Sequence, residues 1–328
     1  MKENALEKFE KQNNFNISSK RVIINEYDHL KEIDMKWSID RITIVGKLKE
    51  NIAYHHQNGD IYMLDFEMLM RINEGNGFLE NVNSRSWVLK DNYGENIAYI
   101  EILKFQKGYG RIDFNPNTIR EYLHSSMKNF IHDLFESPHF SRADVACDIF
   151  NIDDDFIGQY RIIEAIKLMT IYGKSGQLET AYFGSSGSEK QVRMYNKLLE
   201  RTKKKKIVPD DISSWWRVEL QLRRSKASEW QNVVKDTLEN FASPHYLPDD
   251  ISIVDKLVCI GLVHSHDDWA KLSRNYKYKI REIFKREVKN DDITQNMLKT
   301  FNDSTEELKK ELDSWLLGID VTNNENDL

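Results

Sequence analysis

Residues 215–223 read WWRVELQLR, a strict alternation of apolar and polar side chains after the first tryptophan. Successive side chains of a β-strand point to opposite faces, so residues of equal parity share a face. One face of this segment carries Arg217, Glu219, Gln221 and Arg223, and the other face is entirely apolar. The alternation predicts a strand with its apolar face on a hydrophobic core and its polar face turned away from that core.

Three other segments repeat this pattern, namely GRIDFN (110–115), SRADVACD (141–148) and QVRMYNK (191–197). Their polar faces carry Arg111 with Asp113, Arg142 with Asp144 and Asp148, and Arg193 with Tyr195 and Lys197. Polar faces of antiparallel strands often hold cross-strand ion pairs, which explains any one of these segments taken alone. For four strands together, one of which holds a tyrosine, a shared site is an equally good explanation.

The remaining pattern predicts an α+β protein. Further strands are expected at 40–48, 97–105 and 179–184, and helices at 117–136, 156–171 and over much of 227–317. We divide the chain into a flexible N-terminus (1–20), an α+β core with N-terminal strands (21–225), a helical C-terminal region (226–317) and a disordered tail (318–328).

Composition narrows the class of protein. The 328 residues carry a net charge of −6 and include two cysteines, which provide neither a disulfide framework nor a zinc-ligand spacing. No apolar run approaches the roughly 20 residues that span a bilayer, and the first residues contain no apolar signal segment. We therefore expect a cytoplasmic protein with no membrane association. The acidic balance leaves room for local basic patches.

One such basic patch follows the tyrosine. Residues 190–206 contain eight lysine or arginine side chains and a single acid, Glu200. Lys203 and Lys204 lie in its lysine run and are candidates for contacting a nucleic-acid backbone. A solvated turn is the more common role of such a run.

Carboxylates beside a tyrosine suit phosphodiester chemistry. Mg²⁺ and Mn²⁺ take oxygen ligands, typically one or two carboxylates together with substrate phosphate. A tyrosine hydroxyl, with an ordinary pKa of about 10, is a weak nucleophile until a neighbouring charge or base activates it. Arg193 and Lys197 are expected to favour the phenolate and to hold a phosphate, and Arg142 and Arg217 are further candidates for contacting phosphate or DNA. The residues thus predict that Tyr195 attacks a nucleic-acid phosphodiester.

Six segments resemble, in order, those of the Rep_trans-type rolling-circle replication initiators of small plasmids from Gram-positive bacteria. They are DRITIVGKL, RIDFNPN, FSRADVACD, ETAYFGSSGSEKQVRMYNKLLER, WWRVELQLRR and DDWAKLSRNYKYK, and they extend over about residues 38–317. The resemblance implies an antiparallel-sheet nicking-endonuclease core, similar to the HUH nickases but without their paired histidines. Helices flank this core, and a mostly helical C-terminal part follows it.

The resemblance also implies a mechanism and partners. Tyr195 would become linked to the 5′ phosphate of the nicked strand and leave a 3′ hydroxyl as primer. Asp144, Glu219 and Asp148 would be the ligands of Mg²⁺ or Mn²⁺, with Asp113 a weaker candidate. The implied partners are the double-strand origin of a plasmid, a host helicase and a second copy of the chain. A relaxase of a mobile element and a non-catalytic DNA-binding repressor are the alternative functions.

A basic stripe lies in the C-terminal part. Arg274, Lys277 and Arg281 fall on one face of a predicted amphipathic helix in residues 271–289. They predict a helix that contacts duplex phosphates, as an alternative to an ordinary surface helix.

Three weaker signals are set aside. His264-Ser265-His266 is interpreted as a helix start at the surface. Gly173-Lys174-Ser175 is interpreted as a hairpin turn, because Leu168 stands where a phosphate loop needs glycine. Tyr172 and Tyr182 are rival nucleophiles without the flanking basic pair of Tyr195.

Overall fold

The computed structural model describes residues 34–49, 53–55, 62–64, 77–83, 85–91, 93–163, 165, 167–243, 247–288 and 291–317. The expected flexible N-terminus and disordered tail lie outside these residues. The strands are β1 (Met35–Leu48), β2 (Ala53–His55), β3 (Tyr62–Leu64), β4 (Gly77–Asn83), β5 (Ser86–Asp91), β6 (Asn96–Ile102), β7 (Tyr109–Phe114), β8 (Phe135–Phe150), β9 (Arg161–Ile162), β10 (Leu168–Tyr172), β11 (Leu178–Phe183), β12 (Lys190–Asn196), β13 (Trp215–Arg223) and β14 (Phe241–Ala242).

The α-helices are α1 (Glu121–Leu134), α2 (Asp154–Ile157), α3 (Lys197–Lys203), α4 (Ser225–Ser228), α5 (Trp230–Leu238), α6 (Ile253–His264), α7 (Arg274–Val288) and α8 (Asp292–Leu317). Short 3-10 helices cover Pro116–Thr118 and His266–Lys271. No described helix is both long and apolar enough to cross a membrane.

Ten of the described strands form one antiparallel sheet in the order β10-β11-β12-β13-β8-β1-β7-β6-β5-β4. The four strands with the repeated polar pattern are β7, β8, β12 and β13. Three of them, β12, β13 and β8, are direct neighbours, and β1 separates β8 from β7. The expected fold class is confirmed: an antiparallel sheet carries flanking helices, and the chain after β13 is mostly helical.

The apolar face of the sheet is covered chiefly by α8. Trp37 of β1 packs against Phe301 with ring centroids 4.9 Å apart, and Phe114 of β7 packs against Trp315 at 4.8 Å. The Trp37 indole also donates a hydrogen bond to Thr300 Oγ1 at 3.1 Å. Burying a large apolar side chain stabilises a fold by roughly 1.5–3 kcal/mol, so these contacts hold α8 against the apolar face of the sheet. The opposite, polar face is left uncovered by α8.

A second hydrophobic cluster lies beside the sheet core. Its buried members are Ile163, Ala242, Cys259, Leu262, Trp269, Ile280, Ile283 and Phe284. They come from α6, α7, the 3-10 helix between them, strand β14 and the residue after β9. Helix α8 follows them in the chain but packs on the sheet. The expected division at residue 226 stays a prediction. Packing groups the C-terminal helices differently, because α8 returns to the sheet.

The predicted helix at 156–171 is wrong after Ile157. Helix α2 ends at Ile157, and the chain then forms β9 and the edge strand β10. Strand β10 pairs with β11, so the ladder bonds of the sheet prevail over the helical spacing of the apolar residues in this segment. Gly173 donates its N–H to the Gln177 carbonyl at 2.9 Å, which confirms the hairpin turn expected there.

A buried carboxyl joins the start of α8 to the rest of the protein. Asp291 is 1% exposed, accepts a hydrogen bond from the Tyr160 hydroxyl at 2.7 Å, and accepts another from the Thr294 N–H at 3.2 Å. Burial raises the pKa of Asp291 from 3.8 to about 7 although these hydrogen bonds oppose the rise. The native state therefore holds the proton more tightly than the unfolded chain.

We expect Asp291→Asn to reduce the loss of stability between pH 5 and pH 8. A carboxyl whose folded-state pKa is raised contributes less to stability as pH rises from its unfolded pKa to its folded pKa. Asparagine keeps the acceptor for Tyr160 without taking up a charge, so the pH-dependent loss should shrink by about 2 kcal/mol. Urea unfolding of both proteins at the two pH values measures this difference. Equal losses in the two proteins would show that Asp291 does not titrate in this range.

Candidate functional site

The polar face of the sheet brings three of the sequence-predicted strands into one site. Across β12 and β13, Arg193 lies opposite Glu219 and Tyr195 lies opposite Arg217. Across β13 and β8, Arg217 lies opposite Asp148. Directly opposed residues of antiparallel strands point to the same side, so these five side chains share the face away from α8.

Tyr195 is held between two basic side chains. It is 2% exposed. The Arg193 guanidinium lies 3.8 Å from the centroid of its ring, and Lys197 Nζ donates a hydrogen bond to its hydroxyl at 3.0 Å. Strand β12 ends at Asn196, whose side chain caps α3 by accepting from the Leu199 N–H at 2.8 Å. Lys197 therefore belongs to the first turn of a helix, not to the strand, and still reaches the phenol.

Burial, not local positive charge, decides the ionisation of Tyr195. Burial raises the pKa of Tyr195 far above its usual range, Arg217 opposes the rise, and Glu219 and Glu200 add to it. The expectation that Arg193 and Lys197 favour the phenolate is met only in part, because the opposing charge of Arg193 is a minor influence on this pKa. Burial and Arg217 also lower the pKa of Lys197, against the ion pair with Glu200. The resting tyrosine is a neutral phenol.

Glu219 is the carboxylate with the most accessible coordination. It is buried, accepts one hydrogen bond from Gln221 Nε2 at 2.8 Å, and lies 3.8 Å from an Arg193 nitrogen. It lies opposite Ala146 of the neighbouring strand β8, and this small alanine stands between Asp144 and Asp148 along β8. No bidentate arginine closes Glu219 among the described contacts, so one of its oxygens can accept a further ligand.

Asp144 lies diagonally across from Glu219. Arg142 donates two hydrogen bonds to its carboxyl group, at 2.8 and 2.5 Å. Burial nevertheless raises the pKa of Asp144 to about 6, and the nearby charge of Glu219 adds to the rise. A bound cation would relieve the effect of burial and of the Glu219 charge on the ionisation of Asp144.

Asp148 is engaged by an arginine. Arg217 donates to both of its carboxylate oxygens, at 2.7 and 2.6 Å, and the Trp215 indole donates to it at 2.7 Å. The same guanidinium also donates to Asp40, a residue at a bulge of β1. Asp148 therefore serves in this structure as the counter-ion of Arg217.

Asp113 lies away from the tyrosine. It sits on β7, two strands from β8, and accepts hydrogen bonds from Arg41 at 2.8 Å and Thr43 at 2.7 Å. Its sequence neighbour Arg111 pairs with Glu101 at 2.6 Å. The structure thus brings Asp144 and Glu219 together and leaves Asp113 apart.

Asp144 and Glu219 have the oxygen donors that a hard divalent cation takes, although Arg142 donates to both Asp144 oxygens in this structure. Within the described residues, no group of three or more histidine, cysteine, aspartate or glutamate side chains could hold a metal ion. Two carboxylates are nevertheless the usual protein share of an Mg²⁺ site that is completed by phosphate. Ser38 lies opposite Ala146 on β1, and its buried hydroxyl finds no hydrogen-bond partner among the described residues. This hydroxyl is a further oxygen on the same face.

The lysine run behaves as a solvated, ion-paired turn. Lys203 pairs with Glu179 at 2.8 Å and Lys204 pairs with Glu200 at 2.9 Å. Both lysines are more than half exposed and lie at the end of α3. Their contact with a nucleic-acid backbone stays a prediction.

The basic stripe of α7 is only partly exposed. Arg274 is exposed, but Lys277 donates to the Ala270 carbonyl at 3.1 Å and the Arg281 guanidinium lies 5.3 Å from the Trp269 ring centroid. Tyr278, at 66% exposure, shares the solvent side with Arg274. Helical spacing identified the face but did not show which of its basic side chains pack inward.

Sequence reasoning missed Asp40 and Ser38. Asp40 and Arg41 open the segment DRITIVGKL, but the parity of an unbroken strand does not place both on the polar face. The bulge between Ile39 and Arg41 changes that parity. An acid beside an arginine at the start of an otherwise apolar strand was the available signal.

Comparison with known proteins finds similarity to replication initiators. Residues 153–243 match the family described as replication initiation factor, Rep_trans. A replication initiation protein of Staphylococcus aureus is 31% identical over 62% of this chain and 64% of its own length, slightly under two thirds of that relative. Another from the same organism is 26% identical over 85% of this chain and 84% of its own.

A solved rolling circle replication initiator protein from Geobacillus stearothermophilus is 15% identical, covers 71% of this chain and 97% of that chain, and aligns with a TM-score of 0.44. The matched family segment contains both Tyr195 and Glu219. The sequence matches show that this chain is similar to the Rep_trans family of replication initiation factors over residues 153–243, and to replication initiation proteins of Staphylococcus aureus over most of its length.

Proposed function

We propose that this protein starts rolling-circle replication of a plasmid by nicking, and later rejoining, one DNA strand at the double-strand origin. The observation that supports this proposal is the arrangement around Tyr195. A buried phenol lies between Arg193 and Lys197, with Glu219 on the neighbouring strand. This arrangement combines a nucleophile, two phosphate-binding cations and a carboxylate on one face of a rigid sheet.

The reaction is a transesterification. The Tyr195 oxygen attacks the phosphorus of the scissile phosphodiester, the bond from phosphorus to the 3′ oxygen breaks, and a phosphotyrosine forms with the 5′ end. The phenol loses one proton and the departing 3′ oxygen gains one, so no oxidant or nucleotide cofactor is needed. The free 3′ hydroxyl is the primer, and its attack on the phosphotyrosine reverses the step and rejoins the strand.

The basic neighbours act on the charge that develops. The Lys197 ammonium already donates to the phenol oxygen, so it stabilises negative charge there as the proton leaves. The pairing of Lys197 with Glu200 at 2.6 Å supports its charged form. Arg193 stacks on the phenol ring, where its remaining N–H groups can hold a phosphate oxygen. Its buried Nε finds no partner among the described residues.

A divalent cation belongs to the proposal. Asp144 and Glu219 would hold Mg²⁺ or Mn²⁺, and the bound ion would polarise the phosphodiester and neutralise charge on it. Asp148 is a weaker candidate, because it accepts from the Trp215 indole as well as from Arg217. Asp113 is the weakest, because it lies on β7, two strands from β8.

Duplex recognition is proposed for the exposed side of α7. Arg274 would contact phosphates of the origin. Lys277 and Arg281 would contribute less, because they contact Ala270 and Trp269 of the preceding 3-10 helix. A host helicase and a second copy of the chain are the further proposed partners, carried over from the family resemblance.

The carboxylates provide a test of the whole proposal. We expect wild-type protein with Mg²⁺ or Mn²⁺ to nick supercoiled plasmid that carries the cognate origin, and chelator to stop it. Glu219→Gln and Asp144→Asn should each lower the metal-dependent rate by about a hundredfold, since a Lewis-acid metal supplies several kcal/mol of charge stabilisation.

Asp113→Asn is the matched control. It removes one carboxylate from the same face of the sheet, two strands away from β8, and should stay within about threefold of wild type because surface ion pairs contribute little. Full activity of the Glu219→Gln protein would remove Glu219 from the metal site. Origin binding without any nicking by the wild-type protein would favour the repressor instead.

A further inference from the structure

Strand β10 carries exposed apolar side chains on the same face as Tyr195. Ile171 lies opposite Thr180 of β11, which lies opposite Tyr195 of β12. In the next row, Met169 lies opposite Tyr182, which lies opposite Arg193. Met169 is 50% exposed and Ile171 is 44% exposed. The polar face around the tyrosine thus continues into an apolar surface at the edge of the sheet.

The fold itself does not account for this surface. Leu168 of β10 points to the other side and packs on the core, so the strand is anchored without Met169 and Ile171. The strand sequence LMTIY contains no charged residue, although an exposed edge strand usually carries charge to prevent unwanted pairing. An apolar surface retained at such a place points to a ligand with apolar faces.

We propose that Met169, Ile171 and Tyr182 form a seat for unpaired DNA bases beside the scissile phosphate. This inference rests on the proposed function. Bases of a single strand bind to aromatic and apolar side chains through their flat faces, largely independently of sequence. Ile171 stands two strands from Tyr195, roughly 10 Å at the usual strand spacing, which is within reach of the nucleotides next to the one attacked.

Arg193 links the seat to the site of cleavage. Its guanidinium lies 3.8 Å from the Tyr195 ring centroid and 5.8 Å from the Tyr182 ring centroid. A phosphate bound by this guanidinium lies beside the nucleophile and leaves the adjoining base over Tyr182 and Met169. Lys167 at the start of the strand is exposed and adds positive charge for the backbone.

A second copy of the chain fits this surface less well. Pairing of two edge strands uses their backbone N–H and C=O groups in the plane of the sheet. Side chains stand perpendicular to that plane, so Met169 and Ile171 would remain uncovered after such pairing. Bases lying on the face of the sheet would cover them.

The test compares two strands of equal charge. Full-length protein in chelator is titrated into a fluorescent oligothymidylate of about 12 nucleotides and into an abasic strand of the same length. Wild type should bind the oligothymidylate at least about tenfold more tightly. Met169→Gln with Ile171→Thr should lose most of this preference and keep its affinity for the abasic strand.

The control is the double variant Ile253→Gln with Leu257→Gln, which removes a matched pair of exposed apolar side chains from α6. It should keep the preference for oligothymidylate over the abasic strand. If the double variant of β10 does not fold, Met169→Gln alone should still reduce the preference, by about threefold. Equal affinity of wild type for the two strands overturns the inference. An unchanged preference in the β10 variant also overturns the inference. This holds even if light scattering shows that the variant has an altered oligomeric state. Because nothing is cleaved in chelator, these outcomes are independent of whether Tyr195 is the nucleophile.

Discussion

Tyr195→Phe is expected to lower the nicking rate by at least about a thousandfold and to abolish the covalent protein–DNA adduct, because it removes the attacking oxygen. The substitution leaves the ring that stacks under Arg193 at 3.8 Å. Lys197 loses one acceptor but keeps its ion pair with Glu200 at 2.6 Å. The fold and duplex binding should therefore be unchanged.

The measurement is nicking of supercoiled plasmid with the cognate origin, followed by denaturing gels that retain labelled DNA on the protein. Tyr182→Phe is the matched control, since Tyr182 lies opposite Arg193 on the same face and also carries a hydroxyl. It should nick within about threefold of wild type, because the proposed role of Tyr182 uses its ring. Nicking by the Tyr195→Phe protein at a rate near wild type would remove Tyr195 from the chemistry.

Strand parity predicted which side chains share a face of the sheet, but it did not predict which strands are neighbours. The alternation of WWRVELQLR placed Arg217 and Glu219 on one face and the apolar residues on a core, and the structure agrees. Parity cannot say which strands are neighbours. Strand β1 enters between β7 and β8, and this separates Asp113 from the other acids.

The sequence also could not predict which carboxylate each arginine bonds. Arg142 bonds the acid two positions later in its own strand, whereas Arg217 crosses to Asp148 on β8. Both options satisfy the same local pattern, and only the register of β13 against β8 decides between them. That choice makes Asp148 a counter-ion and leaves Glu219 with an open coordination position.

The number of basic residues near Tyr195 did not predict its ionisation, because burial has the larger effect on its pKa. The basic residues near it suggested a phenolate, yet the hydroxyl lies where water is excluded, and burial penalises the charged form. The carboxylates Glu219 and Glu200 add to this penalty. In the proposed reaction, Lys197 and a bound divalent cation would supply the positive charge that stabilises the phenolate as its proton leaves.

Arg217→Met is expected to destabilise the protein by about 3–5 kcal/mol, the usual cost of removing one partner from a buried ion pair. The guanidinium is 8% exposed and donates to both Asp148 and Asp40. Burial alone would lower the pKa of Arg217, but its bonds to Asp148 outweigh burial and raise it. Methionine fills much of the volume and leaves two carboxylates without their cation.

Urea unfolding at pH 7 measures the loss, and Arg223→Met on the same strand is the control. Arg223 is half-buried and bonds a carbonyl and Gln221, so its loss should cost about 1 kcal/mol. Adding Asp148→Asn to Arg217→Met should restore part of the stability, since it removes one uncompensated charge. A loss below 1 kcal/mol for Arg217→Met would show that water or other groups already solvate Asp148. That carboxylate would then be free to take a metal ion beside Glu219, and its role as a counter-ion would be wrong.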